Sequence, residues 1–153
     1  MTPKSLLRLP AAGSSLDDLT SGSFRAVIPD AVVKGATRVL LCSGKVYYDL
    51  LTEAEKREQR PAIVRVEQLY PFPSEELKAV LAAHPAARDV VWVQESPRNQ
   101  GAWSFVRERI EAELPEGSAL RYAGRPERAS PAEGYPAAHA REQARIVAEA
   151  LGS

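Results

Sequence analysis

Residues 37–51 read TRVLLCSGKVYYDLL. Thr37–Cys42 is a short apolar run closed by Ser43-Gly44, the pattern of a buried strand ending in a turn. Val46, Leu50, Leu51 and Ala54 then recur at helical spacing across Lys45–Glu58, which predicts a helix. Strand, tight turn and helix in that order begin a crossover unit, and the rest of the chain repeats the pattern.

Downstream, Ala62–Leu69 (AIVRVEQL) reads as a second strand, broken by Pro71-Phe72-Pro73. Ser74 is placed to cap a helix with Glu75 and Glu76 in its first turn and Leu77, Val80 and Leu81 facing inward. Asp89–Glu95 (DVVWVQE) is a third strand, Trp103–Leu114 a helix stopped by Pro115 and Gly117, and Ala119–Ala123 a fourth strand. An irregular stretch fills residues 124–137, and His139–Leu151 is a final amphipathic helix. The fold class is therefore α/β: a three-layer sandwich with a mainly parallel sheet of four or five strands and helices on both faces.

Upstream the texture changes. Pro3, Pro10, Gly13, Gly22, Pro29 and Gly35 interrupt residues 1–36. This region reads as a linker with a short helix near Leu16–Leu19 and an extended piece at Phe24–Ile28. The folded domain is expected over residues 37–153.

Composition narrows the function. The chain of 153 residues balances 20 Lys+Arg against 20 Asp+Glu, so no global basic field points to nucleic acid or an anionic membrane surface. The single cysteine, Cys42, rules out an internal disulfide and fits a reducing setting. No apolar run approaches the roughly 20 residues that span a bilayer, and Met1-Thr2-Pro3-Lys4 opens no apolar targeting segment. A cytoplasmic location is expected, with no membrane partner.

Four motifs follow predicted strands, where open α/β sheets place their ligands. Ser43-Gly44-Lys45 opens a helix and offers amides and an ammonium to an anion, or is simply a tight turn. Its spacing is not that of a P-loop. Tyr70-Pro71-Phe72-Pro73 makes a rigid apolar corner suited to a domain or subunit contact. Gln94-Glu95-Ser96-Pro97-Arg98-Asn99-Gln100-Gly101-Ala102-Trp103 is dense in hydrogen-bonding groups, for a binding surface or for bonds to another domain. Arg121, Arg125 and Arg128 suit carboxylate or phosphate recognition, or ion pairs with the many glutamates. His84 and His139 have no partners at metal-ligand spacing, and no catalytic triad order or dinucleotide fingerprint occurs.

The runs TRVLLCSGKVYYDLL, AIVRVEQLYPFP, VVWVQESPRNQGAW and LRYAGRPERASPAEGY stand in this order across nearly the whole chain. Together they resemble the carboxy-terminal, transketolase C-terminal-like domain of the thiamine-dependent 2-oxoglutarate dehydrogenase component. MTPKSLLR resembles the segment leaving the domain before it. Ser96 stands where family members often have Glu. The resemblance implies a bacterial homodimeric enzyme of the tricarboxylic acid cycle. That enzyme decarboxylates 2-oxoglutarate with thiamine diphosphate and magnesium and passes the succinyl group to the lipoyl succinyltransferase component. It also implies that the cofactor is held by the preceding domains, so no catalytic, cofactor or metal residue is assigned here and this stretch alone is expected to be inactive.

Two roles remain open. A structural and assembly domain would use Tyr70, Phe72, Asn99, Gln100 and Trp103 as contact residues, with Tyr47, Tyr48, Phe72 and Trp103 reading as exposed aromatics. A regulatory domain would gather Ser43, Lys45, Arg65, Arg121 and Arg125 into an anion pocket for acetyl-CoA or a nucleotide, the first of which activates some family members. At the strand ends Glu67 and Glu95 stand against the three cations Lys45, Arg121 and Arg125, leaving an expected excess of about one positive charge.

Overall fold

A computed structural model describes residues 3–152. Five strands form one sheet in the order β1-β3-β2-β4-β5: β1 Val27–Ile28, β2 Arg38–Cys42, β3 Ala62–Val66, β4 Asp89–Pro97 and β5 Ala119–Arg125. All neighbours are parallel except β1, which runs antiparallel to β3 at the edge. The register is close: Leu41 sits opposite Val64 on one side and Trp92 on the other.

The two-residue alternation of the strands sorts side chains onto two faces. Val39, Leu41, Val64, Val90 and Trp92 point one way and meet α3 (Ser74–Ala82) and α4 (Trp103–Ala112) through Leu77, Leu81, Val106 and Ile110. Leu40, Cys42, Ile63, Val91 and Val93 point the other way and meet α2 (Val46–Ala54) and α5 (Pro136–Leu151) through Val46, Leu50, Ile146, Val147 and Leu151. The sheet is therefore sandwiched, as the continuous apolar runs of β2 and β4 require. Burial of each such side chain contributes about 1.5–3 kcal/mol, so the two cores dominate stability.

Several local expectations change. α2 ends at Ala54 rather than at residue 58, and α5 starts at Pro136, three residues before His139. Pro136 supplies a helical φ and needs no amide partner in the first turn. Ser74 is not the cap of α3. Pro73 holds that position without a side-chain bond, and Ser74 is already helical. β4 continues past Glu95 to Pro97, and β5 past Ala123 to Arg125, with a register shift between Gln94 and Pro97.

Residues 3–36 carry two 3-10 turns, the short helix α1 (Leu16–Thr20) and β1. The end of this stretch is integrated in the fold. Val27 and Ala36 are buried, and Asp30 accepts hydrogen bonds from the amides of Val32, Val33 and Ile63 and pairs with Arg60 at 2.8 Å.

The carboxyl edge of the sheet as candidate functional site

Gly44 takes φ 74°, a left-handed conformation that lets the chain turn sharply between β2 and α2. The turn leaves Ser43 half-buried and carries Lys45 back over the sheet edge. There the Lys45 Nζ meets Glu95 Oε1 at 2.7 Å and Asp49 Oδ2 at 3.1 Å. From α5, Gln143 Nε2 donates to Asp49 at 2.7 Å and to Glu95 at 2.9 Å. Burial alone would push the Lys45 ammonium down, but its bonds to Glu95 and Asp49 outweigh it and hold the pKa above the usual lysine value.

The other cations of this edge are equally committed. Arg125 is buried. Its Nε lies 3.1 Å from Glu133, its Nη1 donates to the Glu95 carbonyl, and its Nη2 lies 3.1 Å from His139 Nδ1. Arg128 meets Glu133 at 2.6 Å. Arg65 lies 3.5 Å from Glu67, too poorly aligned for a hydrogen bond, and its guanidinium stacks 4.7 Å over the Tyr47 ring. The four cations Lys45, Arg65, Arg125 and Arg128 thus face five carboxylates, Asp49, Glu67, Glu95, Glu133 and Glu142. The expected excess of positive charge is absent because α2, the 126–135 segment and α5 bring further acids.

Arg121 does not join the group. β5 is parallel to β4, so Arg121 emerges at the amino end and forks onto Asp89 with two bonds of 2.6 Å, while Arg38 reaches the same carboxylate at 2.6 Å. Burial opposes ionisation of Asp89, but the bond from Arg121 and the charge of Arg38 prevail and hold its carboxyl below the usual range. The set Ser43, Lys45, Arg65, Arg121 and Arg125 therefore forms no shared anion pocket.

Near the end of β4 one polar side chain points inward and anchors the loop that follows. Gln94 is buried. Its Oε1 accepts from the Trp92 indole N–H at 3.0 Å and from the Trp103 amide at 3.1 Å, and its Nε2 donates to the carbonyls of Ser96 and Pro97. Asn99 exchanges two bonds of 3.1 Å with the Arg128 backbone, and Gln100 adds one of 2.6 Å. Asn99 and Gln100 thus tie this loop to the 126–135 segment.

Among the expected contact residues, Trp103 proves to be a buried core residue, against its reading as exposed. It starts α4 with its ring on the sheet side, 5.1 Å from Tyr122. Phe72 is half-buried against the same core, whereas Tyr70 stands open to solvent. Tyr47 and Tyr48 are half-buried, edge to face.

The potentially reactive groups serve the fold. Burial pushes the Cys42 thiol far above its ordinary range. His84 is buried, its Nδ1 accepts from the Ala36 amide at 3.2 Å, and burial lowers its pKa. No group of three or more His, Cys, Asp or Glu side chains among the described residues could hold a metal. With the edge cations already paired, the residues present do not fit a metal-bound diphosphate.

Residues 13–151 match the family described as 2-oxoglutarate dehydrogenase C-terminal. The chain belongs to that family. It is 48% identical over 155 residues to the 2-oxoglutarate dehydrogenase E1 component of Haemophilus influenzae, covering 99% of this chain and 17% of that protein. To the corresponding component of Cupriavidus necator it is 49% identical, with 99% and 16% covered. To the oxoglutarate dehydrogenase of Buchnera aphidicola it is 44% identical, with 99% and 17% covered. The chain thus spans about a sixth of the length of these relatives.

Asp30 is a structural residue that the sequence did not single out, because its partners Ile63 and Arg60 lie about thirty residues away and are invisible to local pattern.

Proposed function

We propose that this chain is the carboxy-terminal assembly domain of a thiamine-dependent 2-oxoglutarate dehydrogenase component and that it is not catalytic by itself. In this reading the complete enzyme is a homodimer of the bacterial cytoplasm. Its other domains hold thiamine diphosphate and magnesium, and it delivers succinyl groups to a lipoyl succinyltransferase. Thiamine diphosphate would supply the carbanion-stabilising chemistry of the decarboxylation. The family match over residues 13–151 carries the reading. The internal pairing of Lys45, Arg65, Arg125 and Arg128 favours the assembly role over an effector pocket. Consistent with a location away from lipid, no helix among the described residues is long and apolar enough to cross a membrane.

Supplied with thiamine diphosphate, magnesium and 2-oxoglutarate, the purified 153-residue chain should release no carbon dioxide. Turnover by the chain alone would refute the assignment of an assembly role.

A further inference from the structure

β5 lies at one edge of the sheet and has a strand neighbour on one side only. The Ala119 amide donates to the Arg88 carbonyl at 3.0 Å, toward β4. Main-chain groups alternate sides along a strand, so those of Leu120, Tyr122 and Gly124 point away from β4. The Gly124 carbonyl accordingly accepts from outside the sheet: Arg145 of α5 reaches round the edge and donates to it at 2.9 Å. Among the described residues no strand lies beside Leu120 and Tyr122, so two amides and two carbonyls stay open to pairing.

This open edge is part of a groove that α4 borders with Trp103 and Arg107, and α5 with Glu142, Arg145 and Glu149. Five arginines line it against three glutamates, and four of the arginines are already paired. Arg107 meets Glu111 at 3.0 Å, Arg145 meets Glu149 at 2.8 Å, Arg128 meets Glu133 at 2.6 Å, and Arg121 is forked onto Asp89. Arg98 differs. Among the described residues no carboxylate meets it, and its guanidinium lies over the rings of Trp103 and Tyr122, 5.7 and 5.4 Å from their centroids. Stacking on aromatic faces positions the guanidinium and leaves its N–H fork for an anion.

We propose that the β5 edge is a docking site for an extended acidic segment of another polypeptide, which adds to the sheet beyond β5 and sets a carboxylate on Arg98. Main-chain bonds to Leu120 and Tyr122 hold the segment, the mode in which sheet edges take peptides. Tyr122 sits on the α4 side of the sheet, so an incoming side chain on that side lies beside Tyr122 and within reach of Arg98. Charge selects this occupant over a second copy, which would bring an equally arginine-rich groove instead of the carboxylate that Arg98 lacks. The site rests on the geometry of β5 and not on the proposed function.

The test is a titration of the protein, expressed at its native length, with a fluorescein-labelled peptide of about six alternating valines and glutamates, the length of a common strand. Read by fluorescence anisotropy, the peptide should bind in the micromolar range, and its valine–lysine counterpart should not bind. Arg98→Ala should weaken binding about tenfold, the loss of one hydrogen bond to a charged group. A peptide methylated at every backbone amide keeps its charges but cannot donate to the edge, and it should bind at least as weakly, with no change made to the protein. No binding of the unmodified peptide at about 1 mM would overturn the proposal. Binding by the 153-residue chain but not at native length would put the rest of the protein on the edge and overturn it equally. Failure of the peptide together with a change of oligomeric state in Arg98→Glu would make a second copy the occupant and sink it. Undiminished binding of the methylated peptide would leave a charge contact without strand pairing, which also contradicts it.

Discussion

Lys45 and Glu95 meet at 2.7 Å across the carboxyl edge of the sheet, joining the β2–α2 turn to the end of β4. Both side chains are largely screened from water, at 26% and 23% exposure. The pair, with Asp49 and Gln143, ties the β2–α2 turn, the end of β4 and α5 together at the edge where an α/β sheet places its ligands.

Removing the cation should leave two neighbouring carboxylates without compensation. We expect Lys45→Ala to destabilise the chain by about 1 kcal/mol, near the top of the range for partly exposed pairs. Chemical denaturation read by tryptophan fluorescence would measure it. A more stable variant would show that the network is not stabilising.

Gln94 should be more sensitive. It satisfies two donors and two carbonyls, and its side chain fills the space beside Gly101, where an added Cβ would overlap it. Because four bonds pin the amide, it cannot swing away cheaply. Gly101→Ala should cost about 1–3 kcal/mol as an overpacked site. Gln94→Leu should cost about as much, by stranding the Trp92 and Trp103 N–H groups. Urea midpoints of the two variants would check both figures, and unchanged midpoints would contradict the bracket.

Stability should fall on acidification in two windows. His84 has a lowered pKa in the fold, so its contribution is present above the ordinary value of about 6.5 and is lost as pH falls through the folded value. Asp30 is also shifted down. Burial opposes its ionisation, but the amides of Val33, Ile63 and Val32 and the charge of Arg60 outweigh it. Its contribution is present above about 3.9 and is lost as pH falls further. Melting temperature against pH should therefore decline below about 6.5, and His84→Gln should flatten the upper part of that decline. An unchanged profile in that variant would assign the slope elsewhere.

Phe72 separates packing from assembly. It rests half-buried on the core while Tyr70 beside it is open. Phe72→Ala should destabilise the isolated chain by about 1–3 kcal/mol, less than a fully buried aromatic, and Tyr70→Ala by almost nothing. Thermal melts of the two variants decide, and equal losses would place both residues in the core.

The fold was readable because the strands carry strong signals. RVLLC and DVVWV have apolar residues on both faces, which only a doubly covered sheet accommodates. The candidate site was readable in part. Lys45 and Arg125 lie at the expected edge, but the direction of β5 puts Arg121 at the opposite end. The neutralising acids Asp49 and Glu133 belong to other elements, so pairing depended on tertiary approach. Trp103 misled for a related reason: the loop before it is polar and exposed, yet its own amide binds the buried Gln94 and its indole packs on the core.

The central claim is that this domain assembles a catalyst without containing one. Its most direct test uses the Haemophilus influenzae component shortened by the stretch that corresponds to this chain, 17% of its length. Mixed with the chain, thiamine diphosphate, magnesium and 2-oxoglutarate, the shortened protein should regain decarboxylation that neither piece shows alone. Full activity of the shortened protein by itself, or any turnover by this chain alone, would contradict the account.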